Sequence, residues 1–249
     1  MIKNISDADC ILLSYRTSIT KNILLKCNNL KLICICGTNS NLIDIEQCSK
    51  QNITILNVKD YGDEGVVEWI FFQLISLIRG FGKYKWKSLP AELNKKTIGI
   101  IGFGAIGKLL AKGALGLNMN ILYYSKSRNQ EWEKKGVKYV DKKELLLKSD
   151  IITLQTPKNL KILDKNDFNL MNEKILINNT LGKAFQKEDF IEWIKKPNNF
   201  MITDIVSDFK NEFEELERVI YSNYISGKTK EAEIRLSEKV LNNIKSYLN

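Results

Sequence analysis

The chain has 249 residues, of which 44% are hydrophobic and 27% are charged, a composition typical of a folded globular protein rather than of a disordered or membrane-embedded chain. Lysine and arginine number 38 against 29 acidic residues, but the basic residues are scattered, so we expect a solvated surface and no nucleic-acid partner. The complete absence of histidine removes the commonest general acid–base from any mechanism.

The N-terminal segment and the cysteines bear on the compartment. Residues 1–10 are polar and carry two aspartates, and the most apolar run, residues 66–78, contains Glu68 and is too short to span a bilayer. The five cysteines lack C-x-x-C spacing, and no histidine is present to complete a zinc site, so we expect buried, reduced thiols and no metal. We therefore expect a cytoplasmic protein without membrane contact.

Apolar strand patterns alternate with helical patterns along the first part of the chain. Strands are predicted over residues 9–14, 30–36 and 53–58, with a short helix ending near residue 25 and another over residues 44–51. Such alternation predicts a parallel sheet with right-handed crossovers. After a polar loop, the helix predicted over residues 66–79 is apolar almost all round, which indicates burial between layers or against another subunit.

The alternation restarts at residue 97 and continues to the end of the chain. Strands are predicted over residues 97–101, 120–124, 137–140, 151–154, 175–178, 201–205 and 219–220. Helices are predicted after the first of these strands and over residues 141–147, 187–194 and 230–248. The last helix is amphipathic, and we expect it to return to the first domain.

The sequence G-x-G-x-x-G, formed by Gly102, Gly104 and Gly107, lies between a predicted strand and a predicted helix. In this setting Gly102 makes the tight turn, Gly104 lets the backbone approach a pyrophosphate, and Gly107 lets the helix pack closely on the sheet. The positive end of the new helix then faces the phosphates. The motif predicts a dinucleotide site, with an ordinary strand–turn–helix as the alternative.

The order of these segments resembles the D-isomer-specific 2-hydroxyacid dehydrogenase family, which includes phosphoglycerate dehydrogenase and glyoxylate/hydroxypyruvate reductase. The similar segments, in family order, are residues 30–44, residues 57–68, the glycine motif, and residues 149–157, 175–182, 203–205 and 224–227. The resemblance implies an α/β protein with two doubly wound parallel-sheet domains. A Rossmann cofactor domain of residues 63–231 is inserted in a smaller, flavodoxin-like substrate domain. That substrate domain comprises residues 1–62 plus 232–249 and is N-terminally shortened. The resemblance also implies a homodimer through the helix over residues 66–79.

The family motifs assign the cofactor contacts by position. They are Gly102, Phe103, Gly104, Ala105, Ile106, Gly107, Ser125, Lys126, Arg128, Gln155, Thr156, Pro157, Asn179, Thr180, Leu181 and Asp204. NAD-preferring members carry an acidic residue after the strand that ends at residue 124, where this chain has Ser-Lys-Ser-Arg. A hydroxyl and two cations suit a 2′-phosphate, so NADP(H) is favoured, with NAD(H) left open.

The residues that perform catalysis in the family are replaced here. The resemblance implies an arginine that grips the substrate carboxylate, a histidine that protonates the oxygen and a glutamate that orients the histidine. The corresponding positions are Leu181, Tyr224 and one near Phe209. Loss of a positioned general acid costs roughly 10²–10⁴-fold in rate. Ordinary 2-keto-acid reduction by the family mechanism should therefore be severely impaired.

A rebuilt site is one interpretation of these replacements. Tyr224 would donate the proton and Lys183 would hold a small anionic metabolite, with substrate contacts from Thr38, Asn39 and Arg16. The alternative is that Tyr224 packs in the core and the lysines are surface residues. The sequence thus predicts an NAD(P)-dependent 2-hydroxyacid dehydrogenase-like oxidoreductase with altered catalytic groups. The competing hypothesis is a non-catalytic dinucleotide-binding paralogue that acts as a sensor or interaction protein.

Overall fold

The computed structural model describes residues 5–180, 182–204, 213 and 216–249. The chain divides into two compact units, one formed by Met1–Gly62 with Thr229–Asn249 and the other by Asp63–Lys228. Every pair of neighbouring strands in both units is parallel. The α/β fold with parallel sheets that the strand–helix alternation predicted is therefore confirmed. None of the helices in these ranges is both long and apolar enough to cross a bilayer.

The smaller unit contains a three-stranded sheet in the order β1–β2–β3. Its strands are β1 (Cys10–Ser14), β2 (Leu32–Cys36) and β3 (Thr54–Asn57), connected by α1 (Lys21–Leu24) and α2 (Ile45–Lys50). The C-terminal helix returns to this unit as α9 (Lys230–Leu248). Asp44 begins α2 by accepting a hydrogen bond from the Gln47 amide at 2.9 Å, and Thr229 begins α9 by accepting one from the Ala232 amide at 3.0 Å.

Apolar side chains cover the two faces of this sheet unequally. On one face, Ile33 and Ile35 pack with α1 and α2. On the other, Cys34 packs with Val58 and with Val240 of α9. Cys10, at the edge strand β1, is exposed, so the prediction that all the thiols are buried is wrong there. Leu12 and Ser14 of β1, which alternate with Ile11 and Leu13 along the strand, are exposed as well.

The larger unit begins with α3 (Asp63–Arg79) and contains a seven-stranded sheet in the order β10–β9–β8–β7–β4–β5–β6. The strands are β4 (Thr97–Ile101), β5 (Asn120–Tyr124), β6 (Lys138–Tyr139), β7 (Ile151–Leu154), β8 (Ile175–Asn178), β9 (Phe200–Asp204) and β10 (Val219–Ser222). The helices that connect them are α4 (Ala105–Gly116), α5 (Gln130–Glu133), α6 (Lys142–Lys148), α7 (Lys165–Leu170) and α8 (Lys187–Ile194).

The strand order places a topological switch point between β4 and β7. The chain moves outward from β4 to β5 and β6, and then returns to the other side of β4 as β7. In open α/β sheets, ligands bind in the crevice at the carboxyl ends of the strands at such a point. The segments that follow β4, β5, β7, β8 and β9 therefore define where a cofactor is expected.

Two apolar layers fix this sheet from both sides. Ile98 and Ile100 of β4 belong to the layer formed with α3 and α4. Leu154 of β7 belongs to the layer formed with α6, α7 and α8. All residues of β7 and β8 are buried, as expected for central strands of a parallel sheet.

Helix α3 is buried on one side only. Ile70, Leu74 and Leu77 are buried, whereas the side chain of Phe72 is 66% exposed on the opposite side and Ile75 is exposed as well. Burial between layers of this chain, one of the two alternatives that the sequence offered, is therefore wrong for the Phe72 side of the helix. Association with another subunit stays a prediction.

Candidate functional site

Two of the three motif glycines are required by the packing of the turn itself. Gly102 has a φ of +96°, and a Cβ there would collide with the carbonyl oxygen of Gln155. A Cβ on Gly107 would lie 2.5 Å from the carbonyl oxygen of Gly102. Only glycine fits either position, because Gly102 contacts the backbone of the segment after β7 and Gly107 contacts the backbone of the turn itself.

Gly104 differs from the other two motif glycines, because the described residues leave the space beside its Cα open. It is the N-cap of α4 with a φ of −82°, and a Cβ built on it would meet no atom of the described residues within 4 Å. No side chain caps this helix, so the amides of its first turn have no partner within the helix. Open space above an uncapped helix N-terminus is the geometry that receives a phosphate.

An aromatic cluster in the core supports the residues around Gly104. Phe103 is buried, with its ring centroid 4.2 Å from that of Tyr123 and 5.8 Å from that of Trp132. Its side chain therefore belongs to the core, and only its backbone can contact a cofactor. Ala105 is exposed and Ile106 is half-buried, so both stay at the surface of the turn.

The segment after β5 lies beside the glycine turn, because the Gly102 amide donates to the carbonyl oxygen of Tyr124 at 2.8 Å. Ser125 is half-exposed and Lys126 is exposed. Arg128 is held by α5: its Nη2 donates to Glu133 Oε2 at 2.5 Å and its Nε donates to Oε1 at 3.2 Å.

The Tyr123 hydroxyl helps to fix the carboxylate that holds Arg128. The Tyr123 hydroxyl donates to Glu133 Oε1 at 2.7 Å, and the same hydroxyl accepts from the Asn129 amide at 2.7 Å. The hydrogen bonds from Arg128 and Tyr123 hold the pKa of Glu133 below its ordinary value. The Arg128 guanidinium also lies over the Tyr139 ring, 5.3 Å from its centroid. The Nη1 atom of Arg128 takes part in neither of the two hydrogen bonds to Glu133.

Sequence reasoning missed the roles of Glu133 and Tyr123. The sequence predicts Arg128 as one of two cations that suit a 2′-phosphate, whereas the structure also pairs it with a carboxylate five residues later. The sequence signal that could have indicated this helix is Asn129. Its side chain accepts from the Trp132 amide and begins the four-residue helix that carries Glu133. A helix this short has no detectable periodicity.

Polar side chains connect the ends of β4, β7 and β8. The Gln155 amide donates to the Ile101 carbonyl at 2.7 Å, and Gln155 Nε2 donates to Thr153 Oγ1 at 2.8 Å and to Asn179 Oδ1 at 3.1 Å. Thr180 Oγ1 donates to Asn178 Oδ1 at 2.7 Å. Gln155, Asn179 and Thr180 are thus brought together with the glycine turn.

Two buried polar atoms at this edge have no hydrogen-bond partner among the residues that the structure describes. They are Thr156 Oγ1 and Asn178 Nδ2. Leaving a buried donor or acceptor unpaired costs roughly 1–3 kcal/mol, so such atoms require an explanation. Their position at the switch point fits a polar ligand in the crevice.

The end of β9 anchors the segment that carries Tyr224. Asp204 is fully buried, and its Oδ2 accepts from the Ser226 amide at 2.9 Å and from Ser226 Oγ at 2.6 Å. Tyr224 itself is 79% exposed, so the alternative in which it packs in the core is wrong. Lys183 and Pro157 are also exposed.

The remaining candidates belong to the smaller unit or fall outside the described ranges. Leu181 and Phe209 fall outside the residues that the structure describes. In the smaller unit, Arg16 Nε donates to the Tyr15 hydroxyl at 3.2 Å, and Asn39 Oδ1 accepts from the Asn41 amide at 2.8 Å within its own loop. The Thr38 carbonyl accepts from Asn57 Nδ2 at 2.9 Å.

Comparison with known proteins supplies independent information. The family model described as D-isomer specific 2-hydroxyacid dehydrogenase, NAD binding domain, matches residues 75–225. A hydroxypyruvate reductase of Blautia hydrogenotrophica is 27% identical over 273 residues, which cover 100% of this chain and 84% of that protein.

Solved structures give the same overall likeness. An acyclic imino acid reductase in complex with NADPH and D-Arg has a TM-score of 0.82 at 26% identity, over 99% of this chain and 85% of that one. A D-2-hydroxyisocaproate dehydrogenase has a TM-score of 0.86 at 18% identity, over 100% and 86% of the two chains, which is a likeness of fold alone.

Proposed function

The chain belongs to the D-isomer specific 2-hydroxyacid dehydrogenase family of nicotinamide-dependent oxidoreductases, and within that family we propose an NADP(H)-preferring enzyme with altered catalytic groups. The observation that carries the proposal is the open space at Gly104 above the uncapped N-terminus of α4. Gly102 and Gly107 hold the turn in place, so the conformation does not depend on a ligand. A bound nicotinamide would supply the hydride.

The segment after β5 supports the preference for NADP(H). A carboxylate among residues 125–128 would repel a 2′-phosphate, and none occurs there. The side chains that could bind a 2′-phosphate at these positions are those of Ser125, Lys126 and Arg128. Arg128 is held in one orientation by Glu133 and Tyr139, so little side-chain entropy remains to be lost on binding. The imino acid reductase, a relative at 26% identity, is in complex with NADPH.

Two exposed side chains would carry the altered chemistry. Tyr224 would donate the proton to the substrate oxygen, and Lys183 would attract a small anionic metabolite as a point charge. Both act in place of family residues that this chain lacks, and neither is held by the surrounding structure as tightly as Arg128. We therefore expect turnover well below that of relatives with the usual residues.

An oxidation assay tests this function. NADPH oxidation is followed with glyoxylate, hydroxypyruvate, other 2-keto acids, the corresponding imino acids and simple aldehydes, each at high enzyme concentration. We expect measurable turnover with at least one anionic substrate and a loss of roughly 10-fold or more in the variant Tyr224→Phe. Equal rates in Tyr224→Phe and in the control Tyr247→Phe would exclude Tyr224 as the proton donor.

The second candidate is a non-catalytic dinucleotide-binding protein, favoured by the replacements at Leu181, near Phe209 and at Tyr224. A thermal-shift titration separates the two, because ligand at about 100 times Kd adds roughly 2.7 kcal/mol of stability. A shift with NADPH without turnover on any substrate supports the second candidate. Absence of a shift with either nucleotide excludes both.

A further inference from the structure

Helix α9 carries an apolar stripe on its exposed side. Ile234, Leu241 and Leu248 are 49%, 51% and 75% exposed, although each is a large aliphatic residue. They are spaced by seven residues, so they line one side of the helix over nearly its full length. A stripe with this spacing is typical of a helix that packs lengthwise against another helix.

Hydrogen bonds show which way the stripe faces. Arg235 Nε donates to the Tyr61 carbonyl at 2.9 Å, Lys239 Nζ donates to the Lys59 carbonyl at 2.8 Å, and Asn243 Nδ2 donates to the Asn57 carbonyl at 3.1 Å. This flank of α9 therefore lies over β3 and the segment that follows it. Leu236, Val240 and Ile244 face the sheet between the two flanks.

The stripe lies on the opposite flank, on the side of the edge strand β1. On this side Leu12 of β1 is exposed to solvent among the residues that the structure describes, whereas its register partner Cys34 in β2 is buried beneath α9. The exposed stripe and the exposed strand together form an apolar surface on the smaller unit.

We propose that the stripe binds the stripe of a second copy of this chain, with the two α9 helices antiparallel around a two-fold axis at Leu241. The spacing is self-complementary: residues 234 and 248 each lie seven positions from Leu241, so Ile234 of one copy faces Leu248 of the other. Leu241 then faces itself, as a residue on the axis of an isologous interface must.

The charged residues beside the stripe favour a second copy of this chain over an unrelated helix as the partner. Glu238 and Lys245 follow Ile234 and Leu241 by four positions and border the stripe on its outer side. An antiparallel arrangement around Leu241 places Glu238 of one copy beside Lys245 of the other, twice. In antiparallel helix pairs, residues that border the apolar seam in this way select partner and orientation.

The interface should be weak. One helix pair buries much less than the roughly 800 Å² per partner of a standard interface, so we expect a dissociation constant on the order of 10–100 µM. Association through α9 is independent of the proposed enzymatic function and of any dimer formed through α3.

Sedimentation velocity of the full chain tests the proposal over about a hundredfold range of concentration around the expected constant. All variants are also made in a Phe72→Glu background, so that α3 does not contribute. Leu241→Lys, which places two cations across the axis, should weaken association at least ~10-fold. The control Asn242→Lys, an exposed neighbour off the stripe, should not. Equal behaviour of the two variants, with matching thermal unfolding, would overturn the proposal.

Charge reversal tests the antiparallel register separately. Glu238→Lys and Lys245→Glu should each weaken association, because each creates two like-charge pairs across the axis. The double variant exchanges the charges and should restore the wild-type constant. A double variant that associates no more strongly than either single variant would overturn the antiparallel pairing of the two stripes.

Discussion

The three motif glycines serve different purposes, although the sequence pattern treats them alike. Gly102 and Gly107 are fixed by contacts inside the protein, whereas a Cβ on Gly104 would meet none of the described atoms within 4 Å. Gly104 also lies at the N-terminus of a helix without a side-chain cap, which is where we propose that a phosphate binds. A substitution at Gly104 should therefore weaken cofactor binding, whereas a substitution at Gly102 or Gly107 should destabilise the fold.

Gly104→Val should fold normally and lose the cofactor. Its backbone is extended, with φ −82° and ψ −153°, so valine is tolerated, but the new side chain would occupy the space of the phosphate. We expect an unchanged unfolding midpoint and an NADPH affinity lower by at least ~10-fold in calorimetric titration. Gly116→Val, at another glycine with open surroundings, is the matched control. Normal NADPH binding by Gly104→Val would contradict the assignment of this space to a phosphate.

Gly107→Ala should instead destabilise the fold. The added methyl group would lie 2.5 Å from the Gly102 carbonyl oxygen, and overpacking of this kind typically costs about 1–3 kcal/mol. Urea unfolding should show the loss without a change in slope. Wild-type stability of this variant would mean that the turn and α4 can separate more easily than the contact indicates.

Glu133→Gln should weaken NADPH binding about 3- to 10-fold and leave NADH unchanged, because it loosens Arg128 without altering its position in the chain. Glu131→Gln is the control, since Glu131 lies on the same helix but pairs with Lys135. Calorimetric titration of both nucleotides measures the effect. Tighter NADPH binding by Glu133→Gln would show that this carboxylate mainly repels the 2′-phosphate.

At the residue scale, spacing alone predicted the tasks of Gly102 and Gly107, because a strand–turn–helix leaves few ways to arrange them. The pairing of Arg128 with Glu133 could not be predicted, since it depends on where a four-residue helix is placed by tertiary contacts. The exposure of Tyr224 could not be predicted either, because its segment is anchored through hydrogen bonds from Ser226 to Asp204, which is 22 residues earlier in the chain. Neither has a periodic signature.

At the element scale, apolar runs predicted the central strands well. β7 and β8 are short, continuous apolar runs bounded by polar residues, and a strand buried on both faces gives that pattern. Helix α3 shows the limit of the same reasoning. Apolar residues all round a helix indicate that every side is covered, but not whether the cover belongs to the same chain.

Phe72→Glu should convert a dimer formed through α3 into a smaller species. Phe72 is exposed in the single chain, and a buried, unpaired carboxylate would strongly oppose an interface there. Gel filtration with light scattering gives the mass. Leu147→Glu, on an exposed position of α6 in the layer on the other side of the sheet, is the control. A wild-type chain that is monomeric at all concentrations would refute the family-based dimer.

At the scale of the whole molecule, the larger unit holds a complete seven-stranded Rossmann-type sheet, and the smaller unit holds three strands. Family membership rests on patterns spread over residues 75–225 and tolerates many substitutions. Activity rests on a few positions, and the sequence predicts that those positions differ here. Fold and family could therefore be predicted from the sequence with far less information than the reaction requires.

Calorimetric titration of the wild-type chain with NADPH and NADH tests the central claim, that this member of the family keeps a working cofactor site with a preference for NADP(H). Charge-assisted hydrogen bonds from Arg128 and Lys126 to a 2′-phosphate should make NADPH bind at least ~10-fold more tightly than NADH. Tighter binding of NADH would contradict the preference, and binding of neither nucleotide would contradict the site itself.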